Sequence, residues 1–302
     1  MMAETPSDVE RYYGEYGGAS FQPRNAVGAT FPNPYHVSGY SMVHRRAATL
    51  AIAQNFDVGV GGCVWECGDL LRRLVLAENA QQKDHRGVPL PWNFDWTRCA
   101  VVELGAGTAI AGLAAAAAGA QAVCVTDFAH VLDAITRTNL TSNKDVHRGT
   151  AVALEWAWGN ADNERAVVRW FESKAAAGAT KQRPTKASKR SKGDAPNPST
   201  LLVLGADLAY VPEVFAPLVA SLHALEDAAT RNGWRFAFAF AHRPRLPAAE
   251  DLLATLRDDF DEHAFVSSSA LDRRYAGTKY ASTTGVRVYV GRRWQHEAGA
   301  VP

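Results

Sequence analysis

A glycine-bearing loop in the sequence has the residue types needed to hold a ligand. The segment Glu103–Gly107 follows a short apolar run and precedes an alanine-rich one, which is the strand–loop–helix context that such loops require. Gly105 permits a tight turn, and Gly107 lets the backbone approach a ligand without a Cβ in the way. Ile110 stands where a dinucleotide loop has its third glycine, and no Gly-Lys-Ser/Thr follows. The loop is therefore typical of neither a dinucleotide site nor a phosphate-cradling loop.

Two acidic residues near this loop indicate a cationic ligand that carries an adenosyl group. Glu103 stands two residues before the first glycine, at the predicted end of a strand, where a carboxylate attracts a cation and repels a pyrophosphate. Asp127 ends the next apolar run, twenty residues after Gly107. From that position a carboxylate can accept hydrogen bonds from both hydroxyl groups of an adenosyl ribose. Together the loop, its context and the two acids predict an adenosyl cofactor.

A second pair of residues could act on the other reactant. Asp207 and Tyr210 stand three residues apart, just after a predicted strand, at the crevice where doubly wound folds bind ligands. A carboxylate there can attract an amine and stabilise its developing charge, and a tyrosine ring can pack against the amine by cation–π attraction. Asp207 could instead cap the following helix, because Val211-Pro212-Glu213 resembles a helix start. The sequence leaves both roles open.

Short apolar runs alternate with helical segments through most of the chain, which predicts a parallel sheet covered on both faces. The predicted strands are 47–56, 100–104, 122–126, 151–156, 201–206, 236–241, 263–267 and 286–290, and the predicted helices are 64–76, 110–118, 131–140, 214–229 and 248–260. The expected fold is α/β, a doubly wound Rossmann-like sheet of about seven strands, mostly parallel with an antiparallel last strand.

The chain divides into an N-terminal extension (residues 1–58) and one domain (residues 59–297). The extension is rich in glycine, proline and tyrosine, and the domain is interrupted by a low-complexity stretch at 174–200. Six basic residues and no acid lie between Lys181 and Lys192. Such a stretch buries too little apolar surface to offset its ordering entropy, so we expect a disordered, solvated insertion. A nuclear-import or nucleic-acid-binding role is the alternative.

Composition sets further bounds on the function. Of the 302 residues 47% are hydrophobic, and the net charge is +1, which gives no global indication of nucleic acid or an anionic membrane. The four cysteines lack metal-ligand spacing, so we expect reduced, buried thiols and no metal site. The apolar run at 109–125 is mainly alanine with two glycines, which favours a packed helix and strand over a membrane span. No signal peptide is expected. We expect an intracellular monomer, in the cytoplasm with the nucleus as an alternative.

Four stretches resemble motifs of one family. They are the glycine-rich turn with Val-Trp at Gly59–Leu70, Glu103–Gly112, Val152–Trp156, and the Asp-x-x-Tyr signature in Leu204–Tyr210. Their order and spacing are similar to those of the seven-strand protein-lysine methyltransferases of the methyltransferase-like family. The resemblance extends from Leu50 to Arg293, apart from the basic insertion.

The resemblance implies S-adenosylmethionine as cofactor and a place for each site residue. Trp65 would flank its methionine end, Gly105, Ala106 and Gly107 its backbone side, Asp127 its ribose, Ala206 its sulfonium, and Trp156 or Trp158 its adenine. Strand register favours Trp156, whereas the family's Trp-Gly pair favours Trp158. Ala109 replaces a third family glycine, and we expect it in the first helical turn, where alanine is harmless; at positive φ it would cost roughly 1 kcal/mol.

The implied activity is methyl transfer to a lysine amine of a specific protein. Two other classes stay open. The acceptor could be a small-molecule amine, a histidine or a nucleobase, although Asp207-Leu-Ala-Tyr210 lacks the Pro-Pro common in nucleobase amino-methylating enzymes. The chain could also be a catalytically idle relative that binds partners through its surface, which the intact acidic residues argue against.

Overall fold

The computed structural model describes residues 35–41, 46–79, 95–146, 149–181, 199–243, 247–260, 262–266 and 286–293. Within these ranges the architecture is a central sheet with helices on both faces, preceded by a two-stranded hairpin. Parts of several sequence expectations lie outside the described residues: the lead-in before residue 35, the loop at 83–94, the insertion from 182 to 198, residues 244–246, and the end of the domain after 293.

Nine strands are present in the described residues: β1 (Tyr35–Ser41), β2 (Arg46–Ile52), β3 (Cys99–Leu104), β4 (Ala122–Asp127), β5 (Thr150–Glu155), β6 (Thr200–Ala206), β7 (Arg235–His242), β8 (Glu262–Val266) and β9 (Arg287–Arg293). β1 and β2 pair antiparallel as a separate hairpin. The other seven form one sheet in the order β5-β4-β3-β6-β7-β9-β8. β9 runs antiparallel to both of its neighbours. The predicted seven-strand sheet with an antiparallel last strand is confirmed.

Six helical elements connect and cover these strands. They are α1 (Glu66–Asn79), α2 (Ile110–Ala118), α3 (Ala129–Val131, a π-helical turn at Leu132–Thr136, then Arg137–Ser142), α4 (Ala161–Lys181), α5 (Phe215–Arg231) and α6 (Ala248–Asp259). Short 3-10 segments at Phe56–Gly62 and Pro212–Val214 precede α1 and α5.

Two hydrophobic clusters lie on opposite faces of the sheet. One packs α1, α2 and the end of β2 against the alanines of β7 and the valines of β9. The other packs α4, α5 and α6 against the phenylalanines of β7. The alternation of small and large residues along β7 sends its side chains to opposite faces, as strand geometry requires. This double cover explains why the strands are continuous apolar runs in the sequence.

Part of the expectation for the stretch at 174–200 is wrong. Helix α4 continues to Lys181, and Thr200 already belongs to β6. Val167, Phe171 and Ala175 are buried at a spacing of four residues, so the apolar stripe of α4 runs into the low-complexity composition. Burial of such side chains stabilises by about 1.5–3 kcal/mol for a large one. The low-complexity composition begins only at Lys174 and did not indicate that the helix continues to Lys181.

The four cysteines are buried thiols, as expected. Among the residues that the structure describes, no helix has the length and hydrophobicity to cross a bilayer, and no group of three His, Cys, Asp or Glu side chains is placed to hold a metal ion.

Candidate cofactor and acceptor site

Every second residue of the glycine loop after β3, from Gly105 to Ala109, has a left-handed backbone conformation. Gly105, Gly107 and Ala109 have φ of 55°, 50° and 62°. The expectation that Ala109 lies in the first turn of α2 is therefore wrong: it is the N-cap, in the left-handed region. An alanine there costs roughly 1–2 kcal/mol. Its methyl group is fully buried, which contributes about 0.8 kcal/mol in the opposite direction.

Both glycines of the loop have close neighbours on the side where a Cβ would project. A Cβ built on Gly107 would lie 2.6 Å from the carbonyl oxygen of Gly61, and one on Gly105 would lie 2.9 Å from Cδ2 of Leu208. The loop is therefore enclosed by the segment before α1 and by the turn after β6. Any side chain at either position would push these walls apart.

Asp127 closes the loop from β4. Its Oδ2 accepts a hydrogen bond of 2.8 Å from the Gly107 amide, and its Oδ1 accepts one of 2.8 Å from the Phe128 amide. Burial raises the pKa of this carboxyl, while the two amide bonds oppose that rise. The side chain is half-buried, and lies beside the loop where the sequence predicted a ribose contact. Phe128, which the sequence analysis did not single out, is 50% exposed directly next to it.

Glu103 has a different place from the one expected. Its side chain is buried, and its Oε2 accepts a 2.8 Å hydrogen bond from the amide of Gly112 in the first turn of α2. Burial raises the pKa of this carboxyl to about 8, although the amides of Gly112 and Ala111 lower it in part. The side chain supports the loop from within, because it accepts a hydrogen bond from one of the free amides at the start of α2.

The three tryptophans lie at different depths. Trp65 is half-buried, and its Nε1 donates a 2.7 Å hydrogen bond to the Val60 carbonyl. Trp156 is buried in the core with α4. Trp158 lies at the loop, because a Cβ on Gly105 would be 3.5 Å from its Cζ2. The buried Nε1 of Trp158 has no hydrogen-bond partner among the described residues. The structure thus brings Trp158 to the loop, while the Trp156 amide donates to the Asp127 carbonyl at 3.0 Å.

Asp207 follows β6 directly and is held in a left-handed conformation, with φ of 60°. Its amide donates to the Ala241 carbonyl at 2.8 Å, and its Oδ1 accepts from the Arg243 amide at 3.3 Å. The helical segments that follow begin at Val211 and Val214, whose side chains make no cap bond. Strained backbone of this kind often marks a functional position.

Tyr210 lies near both halves of the site. It is half-buried. Burial raises the pKa of its phenol to about 12, and the negative charges of Asp127 and Asp207 act in the same direction. Its hydroxyl therefore stays protonated at neutral pH. Ala206 ends β6 facing α1, since a Cβ on Gly68 would lie 3.8 Å from its Cβ.

Two residues that position this region were missed from the sequence. Leu208 fills a notch between the loop and β6, because a Cβ on Gly205 would lie 2.5 Å from its Cδ1. His242 is buried at the end of β7, with its Nδ1 3.7 Å from Oδ1 of Asp207. The sequence does carry a signal for His242: β6 and β7 are parallel, and Ala206 pairs with Ala241, so the next residue on each strand must meet its counterpart.

Comparison with known proteins gives one family. Residues 44–169 match the family described as lysine methyltransferase, so the resemblance seen in the sequence is confirmed over that part of the chain. None of the curated proteins compared with the sequence matches it significantly.

Two solved structures are similar at a low level. One is a Streptococcus mutans protein assigned as a SAM-dependent methyltransferase, with 11% identity and a TM-score of 0.43. The other is a protein assigned as a methyltransferase and solved in complex with SAH, with 11% identity and a TM-score of 0.41. Each alignment covers 88% of this chain and 57% of the other. Because these scores are low, the fold assignment depends on the strand order and pairing described above.

Proposed function

We propose that this chain, whose residues 44–169 match the lysine methyltransferase family, is an S-adenosylmethionine-dependent methyltransferase whose acceptor is a lysine amine on a specific protein. The observation that carries the proposal is the juxtaposition of two carboxylate sites at neighbouring strand ends. Asp127 lies with the glycine loop on one side, and Asp207 follows β6, the strand that pairs directly with β3. Leu208, the residue after Asp207, packs against Gly105 of the loop.

The residues beside the loop fit the cofactor. Gly105 and Gly107 let the loop pack against Leu208 and the Gly61 carbonyl, where a Cβ would not fit, and Asp127 places a carboxylate where a ribose can donate to it. Trp158 offers a flat face and an indole N–H that lacks a partner among the described residues, and an indole face suits adenine. When bound, S-adenosylmethionine supplies an electrophilic methyl group on a sulfonium.

The acceptor residues fit an amine. A lysine ammonium must first release a proton to solvent so that its nitrogen has a lone pair. The N–C bond then forms as the bond between the methyl group and sulfur breaks, the thioether product leaves, and positive charge develops on the nitrogen. The buried Asp207 carboxylate attracts and orients the amine and stabilises this charge. Its Oδ1 accepts from the Arg243 amide, which fixes the orientation of the carboxylate. The Tyr210 ring packs against the amine by cation–π attraction and excludes water.

The test uses two substitutions with opposite expected effects. Asp207→Asn keeps the side-chain shape and a residue that tolerates positive φ, but removes the charge. We expect it to lower methyl transfer about 100-fold or more, with SAH affinity changed by less than about threefold. Asp127→Asn places an amide donor against the Gly107 or Phe128 amide, so we expect SAH affinity to fall about tenfold or more.

Transfer can be measured with a whole mixture of cellular proteins as the acceptor. Cell extract is incubated with the protein and labelled S-adenosylmethionine, and the labelled residue is identified by mass spectrometry. Label on lysine supports the proposal. Label on histidine, a nucleobase or a small molecule would instead identify the other acceptor class, and SAH binding by calorimetry without any transfer would identify an idle relative. Wild-type transfer by Asp207→Asn would remove the assigned role of Asp207.

A further inference from the structure

The segment between β2 and α1 lies directly on the glycine loop. We call residues 53–63 the N-terminal wall. The wall is closed on itself, because the Asn55 amide donates to the Gly62 carbonyl at 2.9 Å. Its Gly61 carbonyl oxygen would be 2.6 Å from a Cβ on Gly107. The N-terminal part of the chain therefore forms one side of the candidate cofactor site.

Asn139 of α3 and Asn143, the residue that caps the C-terminus of α3, hold this part of the chain. Asn139 and Asn143 are one helical turn apart, and both are buried. The Asn143 carboxamide accepts from the Ala51 amide at 2.9 Å and donates to the Ala51 carbonyl at 2.8 Å. The Asn139 carboxamide does the same with Ala53, at 2.7 and 3.1 Å. Each side chain thus pairs with a backbone amide and carbonyl as a neighbouring strand would, and satisfies groups that would otherwise be costly to bury.

The two asparagine side chains differ in the partner of their third hydrogen bond. Asn143 donates to the Asn139 carbonyl of its own helix at 2.7 Å. Asn139 donates to the Thr108 carbonyl of the glycine loop at 3.0 Å. That carbonyl belongs to the peptide that enters Ala109, the strained left-handed position. Asn139 therefore bonds both to the N-terminal wall and to the peptide whose orientation shapes the loop.

We propose that Asn139 is a positioning residue for the cofactor, and that its carboxamide couples docking of the N-terminal wall to cofactor binding. The inference rests on the proposed function, since it takes the glycine loop as the S-adenosylmethionine site. A side chain that holds the wall and the loop together makes each stabilise the other, and this coupling is reciprocal. Cofactor binding orders the wall, and the docked wall raises affinity for the cofactor.

The experiment compares Asn139→Asp with its matched control Asn143→Asp. Both variants keep a side-chain oxygen that accepts from the backbone amide of Ala53 or Ala51. Both lose the side-chain N–H that donates to the carbonyl of the same residue. Only Asn139→Asp also loses the donor to Thr108. We expect both to lower the free energy of unfolding in the absence of ligand, and only Asn139→Asp to weaken SAH binding, about tenfold, in calorimetry. Equal SAH affinity in the two variants would overturn the proposal.

Two further measurements remain decisive if the aspartate variants do not fold. Asn139→Ala and Asn143→Ala make the same comparison without an added charge. In the wild-type protein, SAH should slow amide hydrogen exchange at residues 53–63, and unchanged exchange there would contradict the coupling. If the wild-type protein does not bind SAH at all, the proposed function fails; if it binds SAH and the two asparagine variants behave alike, only this inference fails.

Discussion

Ala109 and Asp207 are the two non-glycine residues with positive φ in the described part of the chain, and both border the candidate site. Aspartate visits this conformation more readily than alanine because its short polar side chain can bond locally. Ala109 has no such bond, and the loop around it is held by others: Thr136 Oγ1 donates to the Gly107 carbonyl at 2.7 Å, and Asn139 donates to the Thr108 carbonyl. Side chains from α3 therefore hold the loop in the conformation that strains Ala109.

Glu103 makes stability depend on pH. Its pKa is raised from 4.5 to about 8 by burial. The contribution of the neutral carboxyl is fully present below its unfolded pKa and is lost as the pH rises towards 8. Glu103→Gln stays neutral throughout, so we expect its free energy of unfolding to improve relative to wild type between pH 5 and 8, by at most about 1.4 kcal/mol per pH unit. Urea denaturation at several pH values measures this difference.

The control for this prediction is Asp133→Asn. Asp133 is exposed and pairs with Arg137 on the surface of α3, where an ion pair contributes little. Its pH dependence should follow that of wild type. Parallel curves for Glu103→Gln and wild type would mean that Glu103 is ionised in the folded protein.

At the scale of elements, His223 ties α5 to α6. Its Nδ1 lies 3.1 Å from Oε2 of Glu226 and its Nε2 lies 3.0 Å from Oδ2 of Asp259. Burial alone would lower the pKa of His223, but its hydrogen bonds to Asp259 and Glu226 and their charges raise it above 6.5. The imidazolium thus bridges two carboxylates at the outer face of the helical layer.

The raised pKa predicts a second pH effect of known sign. Stability from the His223 bridge is fully present below pH 6.5 and is lost as the pH rises through the raised folded pKa. His223→Gln should therefore cost most stability near pH 6 and progressively less at higher pH, as measured by thermal or urea unfolding. His130→Gln, at an exposed position, is the matched surface control. A cost for His223→Gln that stays constant with pH would show that the bridge is not ionic.

The sequence predicted regular elements well where local pattern decides them. Helix α2 begins and ends where its alanine-rich run does, at Ile110 and Ala118. Features that depend on distant residues could not be predicted in this way. The Glu103 side chain turns towards α2, and Ala109 takes positive φ beside a bond from Asn139. Trp158 lies at the loop, which strand alternation could not predict because β5 ends at Glu155.

At the scale of the whole molecule, the sheet order reverses between β3 and β6. From β3 the chain adds β4 and β5 on one side, and from β6 it adds β7, β9 and β8 on the other. The carboxyl ends of the two central strands therefore diverge into a crevice, where open α/β sheets bind ligands. The glycine loop and Asp127 belong to the first half and Asp207 to the second. The positions of both acids at strand ends were predictable from the apolar runs before them, whereas the order of the strands in the sheet was not.

The π-helical turn in α3 determines where a single residue can be deleted from this helix. A π turn takes up one more residue than an α turn, and each α-helical residue rotates the chain by about 100°. Loss of the exposed Ala134 from this turn would leave an ordinary helix with Asn139 and Asn143 on their present face. Loss of Thr138 would instead rotate both away from Thr136. We predict that the variant lacking Ala134 unfolds cooperatively with near wild-type stability in urea, and that the variant lacking Thr138 does not. Single-residue deletions are then tolerated on one side of Thr136 and selected against on the other.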